Sequence, residues 1–363
     1  MNGNAAPALY LAGLGMITPL GANARMTAAM VKVGLSAYQS SDYATQPGDQ
    51  PITMARVPRA VFDARQTQID PGRYQSAQYD RIVIMAILAL REALAGHSIQ
   101  KPVPLILAMP EEHAQAPYPP NDLLIRNLVA QQDLPLNPHM VRYVDSGRAA
   151  GIEGLALAQH LLAQQKADFV LIGGADSYWD ASRVAALDSQ ARVLAPGRQD
   201  GFAPGEGAGF LLLTGHADKA RVRDGYAVAL RQPASGEEPG HLYSDEPYRA
   251  EGLDRVFKKV LQDYTGDGIK AIYSSMNGER YWGKEYGVAF LRNSMHFHDP
   301  VDVEHPAEGF GDLGAATAPV LIALAAEDLW KRPGPATHLV YSSSDGPMRA
   351  AVRVEKIPTS AIR

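Results

Sequence analysis

The stretch Val144-Asp-Ser-Gly-Arg-Ala-Ala-Gly151 decides how this chain folds. It leads into an apolar run that predicts a helix ending near Gln165, and a buried-type strand follows at residues 168–172. The next residues, Gly173-Gly174-Ala-Asp176, predict a turn. Arg148 therefore stands at the beginning of a helix, where the helix dipole disfavours a cation unless an anion lies nearby.

Predicted strands and helices alternate on both sides of this stretch. The strands are expected at residues 9–12, 103–108, 269–273, 338–342 and 349–354, and the helices at 82–94, 121–132, 250–264 and 319–330. Such alternation predicts an α/β protein with parallel sheets and helices on both faces. The polar residues 232–248 are expected to join two halves, 1–231 and 232–363, which together form one compact unit.

The composition narrows the possible functions. Of the 363 residues 46% are hydrophobic and 20% are charged, which is ample for a buried core. The net charge of −5, without a long basic run, argues against nucleic-acid binding. The absence of cysteine excludes disulfides, a cysteine nucleophile and Cys-ligated zinc. With no signal-like beginning and no apolar run near the ~20 residues that span a bilayer, a soluble cytoplasmic protein with no membrane partner is the expectation.

Residues 144–176 resemble the signature of β-ketoacyl synthases in the thiolase-like superfamily. In that family a strand ends in a sharp elbow, the nucleophilic cysteine begins a helix, and Gly-Gly-Ala-Glu/Asp follows at a fixed spacing. The spacing from Arg148 to Gly173-Gly174 matches without a gap. The resemblance extends over nearly the whole chain and implies two similar α/β halves stacked as a layered αβαβα sandwich. The residues that carry it as structural features are Gly173, Gly174, Gly205, Glu206, Gly207, Gly209 and Gly314.

The same resemblance implies that the catalytic groups have been replaced. The cysteine position holds Arg148, which cannot deprotonate and cannot be a nucleophile. The first histidine corresponds to Asn277, with Glu279 at the neighbouring threonine. The second histidine corresponds to Gly311 or, with a deletion of one residue, to Asp312. The centre at the elbow, residues 144–151, is thus predicted to be vestigial, with no catalytic residue intact.

These replacements suggest a buried ion pair. One cation and two candidate anions stand where catalytic groups are expected. We expect Arg148 to reach into the former pocket and pair with Glu279 or Asp312, with Asn277 as a further hydrogen-bond partner. A buried arginine without an anion costs several kcal/mol, which a carboxylate largely offsets. Alternatively, the guanidinium receives a carboxylate or phosphate ligand in place of Glu279.

Other signals have ordinary interpretations beside functional ones. Ser146 is a candidate nucleophile, but a turn role is favoured because no serine-hydrolase context surrounds it. The histidines at 296, 298 and 305 form a possible metal group, although an exposed strand or loop is favoured and no metal or cofactor is predicted. The Gly13–Gly21 run lacks the third glycine of a dinucleotide fingerprint. The proline-rich residues 102–138, with Tyr118, are a candidate partner surface or a rigid loop.

The expected function is therefore binding. We predict a catalytically inactive ketosynthase-like protein that acts as a scaffold, adaptor or chaperone. Its partner would be a type VI secretion effector complex, or an active ketosynthase that it assists as chain-length factors do in polyketide systems. A homodimer or heterodimer is expected. The alternative is an acyltransferase of the 3-oxoacyl-ACP synthase type that acts on acyl-thioesters with a non-standard site.

Overall fold

The structure is a computed structural model that describes residues 9–63, 77–111, 121–198 and 200–362. The strands are β1 (Leu9–Ile17), β2 (Tyr38–Ala44), β3 (Pro51–Ala55), β4 (Leu105–Ala108), β5 (Val141–Val144), β6 (Val170–Ser177), β7 (Glu206–Thr214), β8 (Val222–Arg223), β9 (Tyr226–Glu237), β10 (Ile269–Ser274), β11 (Phe297–Glu304), β12 (Ala336–Ser343) and β13 (Met348–Pro358). Within the described ranges, no helix combines the length and the hydropathy that crossing a bilayer requires.

The helices connect these strands and cover them. They are α1 (Ala24–Lys32), α2 (Arg59–Asp63), α3 (Ala77–Leu94), α4 (Asn121–Val129), α5 (Ala150–Glu153), α6 (Leu155–Ala163), α7 (Ala181–Ser189), α8 (Glu251–Leu261), α9 (Arg280–Arg292), α10 (Ala307–Phe310) and α11 (Thr317–Lys331). Helix α8 shows why they form where they do. Its apolar residues Leu253, Phe257 and Val260 share one buried face, while acidic residues begin the helix and lysines end it, as the helix dipole favours.

One 11-stranded sheet contains most of the strands, in the order β11-β10-β12-β13-β9-β1-β7-β6-β4-β5, with β8 attached to β9. Parallel pairs lie at the two ends of the sheet (β4 with β5 and β6, β10 with β11 and β12), and the strands between them pair antiparallel. The two halves of the sheet meet where β1 pairs with β9. The carboxyl ends of the parallel strands β5, β10 and β12 lead into the loops that carry the functional-site candidates.

The apolar side chains form three cores between layers. Helices α3 and α4 pack on β1, β4 and β7 in one outer core. Helices α8 and α9 pack on β10, β12 and β13 in the other. Between the two halves of the sheet, α5, α6 and α11 form a central core that contacts strands of both halves. The layered α/β arrangement is the one that the sequence predicts, but the middle of the sheet is antiparallel where parallel strands were expected.

The structure corrects three details of the predicted elements. Gly173-Gly174 continue strand β6 and do not form a turn. Glycine is needed at residue 173 because a Cβ there would lie 2.1 Å from the main-chain oxygen of Gly209 on the neighbouring strand. The helix after the elbow is divided at Gly154, which packs directly on Ile106 and Ile172. The strand β9 runs through residue 237, so the proposed boundary after residue 231 falls inside a strand.

Candidate functional site

The elbow predicted at residues 144–151 lies at the carboxyl end of β5. A 3-10 turn at Gly147–Ala149 follows the strand and leads into α5. Gly147 has a φ of +57°, and a Cβ there would lie within 3 Å of the Glu111 side chain. Glycine is therefore required at this turn, which directs Arg148 inward.

Arg148 is buried, with 4% of its surface exposed, and its guanidinium is held on all sides. Nη1 donates to Asp312 at 2.7 Å, Nη2 donates to Asp345 at 2.6 Å, and Nε donates to the main-chain oxygen of Ser343 at 2.9 Å. The ring of Trp282 lies 4.4 Å from the guanidinium carbon. The guanidinium therefore has two carboxylate partners and an aromatic face, which offset much of the cost of burying its charge.

A second buried guanidinium, that of Arg192, lies beside the first. It binds Glu279 with two parallel hydrogen bonds of 2.7 and 2.9 Å. It also donates to Asp345 at 2.7 and 3.1 Å and to the Tyr243 hydroxyl at 2.8 Å. Asp345 thus bridges Arg148 and Arg192. We call Arg148, Arg192, Glu279, Asp312 and Asp345 the arginine–carboxylate cluster.

Asn277 ties the inner part of the cluster together. Its amide nitrogen donates to Asp312 at 2.9 Å and to Glu279 at 3.1 Å, and its oxygen accepts the backbone N–H of Glu279. Trp282 donates its indole N–H to Glu279 at 3.0 Å. Asp312 also accepts the backbone N–H of Gly314 at 2.8 Å. The carboxylates are therefore positioned by neutral donors as well as by the arginines.

Burial and charge act against each other on the ionisable groups of the cluster. Burial opposes the charge of Arg148, but Asp345 and Asp312 outweigh it and hold the pKa of Arg148 above its usual value. Arg192 behaves alike, with burial outweighed by Glu279 and Asp345, so its pKa is also raised. Burial and the nearby Asp345 raise the pKa of Tyr243 to about 12. Both guanidinium groups therefore remain charged at any working pH, so neither can act as a nucleophile or a general base.

The structure brings together most of the residues that the sequence singled out. Asp312, one of the two carboxylates expected beside Arg148, contacts it, whereas Glu279 is bound by Arg192. Asn277 lies between these two carboxylates. Gly311, the other candidate for the second histidine position, has a φ of +76° and lies against the backbone of Ala203, so it contributes only a backbone bend.

Sequence reasoning missed Arg192, Asp345, Tyr243 and Trp282. Asp345 and Trp282 follow β12 and β10 along the chain, and the carboxyl ends of parallel strands are where functional side chains commonly gather. Arg192 follows α7 and belongs to no recognisable motif, and its role depends on contacts with chain segments 87 and 153 residues away. Contacts at such a separation cannot be read from local pattern.

Ser146 and the histidines lie in other surroundings. The Ser146 hydroxyl donates to Glu153 at 2.5 Å. Nδ1 of His305 contacts the Ser274 hydroxyl at 2.7 Å, and burial lowers the pKa of His305. Nδ1 of His298 contacts the main-chain oxygen of Pro300. Among the described residues, no three His, Cys, Asp or Glu side chains come together as metal ligands would. Tyr118 lies outside the described residues.

Glu206, which the sequence analysis names as a structural feature of the motif, lies in a second and separate polar site. It is fully buried and contacts Arg81 through both carboxylate oxygens. It also accepts the backbone N–H of Val57 at 2.9 Å and the Ser177 hydroxyl at 2.9 Å. Glu206 thus joins β7, α3 and the segment after β3, which is a structural role. The glycines of the predicted motif lie in close backbone contacts: Gly205 against Phe310, Gly207 against Ile17, Gly209 against Val320, Gly174 against Ala108, and Gly314 against Asp176.

Part of the chain matches a known family model, and the whole fold is similar to solved structures. Residues 140–219 match the family model described as the beta-ketoacyl synthase N-terminal domain. A search of curated proteins by sequence gave no significant match. The ketosynthase from module 6 of the bacillaene synthase of Bacillus subtilis 168 superposes with a TM-score of 0.72 at 14% identity, over 96% of this chain and 72% of that one. The chain therefore has the fold of the ketosynthases to which it is similar.

Two further solved structures, each described as an assembly of two kinds of protein, are also similar to this chain. One is a type II polyketide synthase acyl-carrier protein in complex with its ketosynthase, AntDE:AntF, with a TM-score of 0.74, 14% identity and coverage of 97% of this chain and 100% of that one. The other is the ishigamide ketosynthase/chain length factor, with a TM-score of 0.68, 18% identity and coverage of 95% and 99%. The TM-scores show a shared fold with both structures.

Proposed function

We propose that this chain is a catalytically inactive ketosynthase homologue that acts by binding another protein. The observation that carries the proposal is the guanidinium of Arg148, which occupies the elbow and is fixed by Asp312 and Asp345. Acyl transfer through a covalent intermediate requires a nucleophile at this point and a base that activates it. The arginine–carboxylate cluster offers neither, since its cations stay protonated and its carboxylates are engaged by them.

The geometry also argues against a site that merely awaits a different substrate. Asn277 and Asp312 stand at positions where the resemblance expects the two histidines, and Asn277 hydrogen-bonds to Asp312 and Glu279. Opening a channel to the elbow would separate buried opposite charges, which costs about 3–5 kcal/mol for a broken pair. The cluster therefore supports a closed, structural centre.

The test of inactivity is direct exposure to substrate. The purified full chain is incubated with malonyl- and acyl-thioesters, and mass spectrometry measures both its own mass and the products. We expect no covalent adduct and no turnover above the rate of a Ser146→Ala variant, which controls for the alternative nucleophile. An acyl adduct on any side chain, or turnover that exceeds buffer, would defeat the proposal in favour of the non-standard acyltransferase.

Restoring the thiol alone should not restore chemistry. In Arg148→Cys, the thiol would lie near Asp312 and Asn277, with no imidazole at either expected position. Nearby carboxylates raise the pKa of a thiol and so reduce its thiolate fraction. We expect no condensation product by mass spectrometry. Condensation by Arg148→Cys would show that the histidine positions have been assigned wrongly.

The proposed binding partner is a protein, and β5 is the edge at which it could join. Among the described residues this strand ends the large sheet, and Arg142 and Tyr143 on it are exposed. A strand at the edge of a sheet can pair with a strand of a second chain. A second copy would give a homodimer and a related active ketosynthase would give a heterodimer, while a secretion-effector complex remains the other proposed setting.

Two measurements separate these partners. The oligomeric state is measured by sedimentation for the wild type and for Tyr143→Pro, which blocks strand pairing at the edge. Capture from the native host with the full chain as bait then identifies the partner by mass spectrometry. Recovery of a ketosynthase supports the chain-length-factor role, and recovery of secretion components supports the adaptor role. A monomer that captures neither would contradict a binding function of this kind.

A further inference from the structure

A cavity of about 560 Å³ lies at the end of the C-terminal sheet that is remote from the arginine–carboxylate cluster. The residues around it come from β9, β10, β12, β13 and the loop at residues 263–268. Strand β12 runs from the cavity at Ala336 to the cluster at Ser343. At about 3.3 Å per residue the two places are roughly 20 Å apart. The cavity is within the usual size range of small-molecule sites.

Two arginines face each other across the wall of this cavity. Arg231 of β9 and Arg353 of β13 are directly paired in the sheet register. Like charges directly opposite each other in a sheet are destabilising. A single carboxylate, Glu355, lies between them, 2.9 Å from Nε of Arg353 and 3.7 Å from Nε of Arg231. The carboxylate of Glu355 thus neutralises only part of the charge of the two guanidinium groups.

These arginines retain unused donors. Arg353 is 6% exposed and, among the described residues, donates only through Nε to Glu355 and through Nη1 to the main-chain oxygen of Val260. Arg231 donates no hydrogen bond to any group in the described part of the chain. Lys270 brings a third cation to the wall, and its one hydrogen bond to the described residues is to the main-chain oxygen of Asp267. The free N–H groups are therefore available to an anion.

The rest of the wall combines apolar and neutral polar residues with a fourth cation, Lys356, whose Nζ donates to the main-chain oxygen of Arg332, and with acidic residues at the rim. Gln232 and Thr337 line the cavity beside the arginines and can bind hydroxyl groups. Asp263 and Asp267 also line it, but both are exposed, and Asp263 accepts a hydrogen bond from Gln232. The inner wall is therefore positively charged and the outer rim negatively charged. The anionic group of a ligand should bind at the two arginines, and its uncharged polar part should lie near the amide of Gln232 and the hydroxyl of Thr337.

We propose that this cavity binds a small phosphorylated polar ligand, with the phosphate held between Arg231 and Arg353. Guanidinium forks match phosphate geometry and bind it with paired hydrogen bonds. A phosphate also supplies the negative charge that the two opposed arginines lack. The cavity has room for a polar group of sugar size beyond the phosphate.

The test uses inorganic phosphate and ribose 5-phosphate as probes and isothermal titration calorimetry as the readout. All titrations are made with the full chain at fixed ionic strength in chloride, with ribose as the uncharged control. We expect saturable, one-to-one binding of both phosphates and none of ribose. Arg231→Gln should weaken binding at least about tenfold, the ratio that corresponds to ~1.4 kcal/mol. Arg231 is one-third exposed, so the variant is expected to fold.

Two matched substitutions make the outcome decisive. Glu355→Gln removes the competing carboxylate, so it should tighten phosphate binding severalfold. Arg255→Gln and Glu251→Gln make the same charge changes on the exposed face of α8 and should leave binding unchanged. Absence of saturable binding by the wild type would overturn the proposal. Equal effects of Arg231→Gln and Arg255→Gln would do so as well, since they would show general electrostatics only. Neither result bears on whether the elbow is inactive.

Discussion

Two of the buried arginine–carboxylate systems in the described part of the chain, that of Glu206 and that of Arg148, are built in different ways. At Glu206, one carboxylate meets one guanidinium, that of Arg81, and backbone and hydroxyl donors complete its hydrogen bonds. In the arginine–carboxylate cluster, two guanidinium groups meet three carboxylates. The first system is balanced and joins neighbouring elements. The second carries a surplus negative charge and draws its members from five loops.

The two systems also differ in where they lie: Glu206 contacts elements of the fold's framework, whereas the arginine–carboxylate cluster lies at the candidate functional site. Glu206 lies at the beginning of β7, where the family resemblance also expects it, and the fold uses it to fix α3 against the sheet. The members of the cluster lie after β5, α7, β10, α10 and β12, in the loops that carry the functional-site candidates. Under the function proposed above, this cluster stands in place of reacting groups, while the contacts of Glu206 support the fold.

The sharpest way to break this comparison is Arg148→Met. It leaves Asp312 buried without its cation and Asp345 with Arg192 alone. Breaking a buried ion pair from one side costs about 3–5 kcal/mol, so the free energy of unfolding should fall by that amount in urea denaturation. The control Arg255→Met, on an exposed arginine, should change it by less than ~0.5 kcal/mol. A loss below ~1 kcal/mol for Arg148→Met would show that the cluster does not hold the elbow closed.

Glu206→Gln tests the scaffold system. The amide keeps the shape of the side chain and one acceptor oxygen, but it loses the charge that Arg81 faces. A hydrogen bond to a charged group contributes about 1.5–3 kcal/mol, and we expect a loss of unfolding free energy in this range by the same urea measurement. The control is Gln164→Glu, which exchanges the same two residue types on the exposed surface. Gln78 is buried and therefore cannot serve as this control. A loss greater than that of Arg148→Met would reverse the ranking of the two systems.

Asp345→Asn should have a smaller effect than either. Its side chain is 17% exposed, and its removal as a charge leaves two guanidinium groups with two carboxylates, Asp312 and Glu279. We expect a loss of about 1 kcal/mol, the net value of an ordinary hydrogen bond. Asp312→Asn, whose side chain is fully buried, provides the matched comparison and should cost more. Equal losses would mean that the surplus charge is compensated in another way.

The smallest expected effect is a pH dependence outside both systems, at Asp328. Its hydrogen bonds from His338 and Arg332 outweigh burial and hold its pKa well below the usual 3.8. A depressed carboxyl pKa stabilises the fold above the unfolded value and loses that contribution as pH falls. The difference in unfolding free energy between the wild type and Asp328→Asn should therefore shrink as pH is lowered from about 5 toward 3. A constant difference over this range would contradict the assignment.

Much of the fold could be predicted because its signals are local. The elbow, the strand that follows at Val170–Ser177 and the helix at Ala77–Leu94 are each visible as a glycine pattern or an apolar period. The candidate site could also be located, since spacing from the glycines pointed to Arg148 and Asn277, and the structure brings both of them to Asp312.

The partners of these groups could not be predicted in the same way. Asp345 reaches Arg148 from 197 residues away, and Arg192 reaches Glu279 from 87. Such pairs depend on how the loops at the strand ends converge, which local pattern does not encode. The sequence thus indicated that Arg148 needs an anion, but the choice between Asp312 and Glu279, and the existence of a second arginine, required the folded chain.

Strand β9 has a consequence for how the molecule can be divided. It pairs with β1 on one side and with β13 on the other, so the hydrogen bonds of both halves pass through it. A cut after residue 231 would sever that strand and leave each fragment with an open edge. A cut within residues 239–249 would leave every strand whole. Two co-expressed fragments divided there should reassemble into a working complex, which would make this loop the natural place to insert a reporter or a cleavage site.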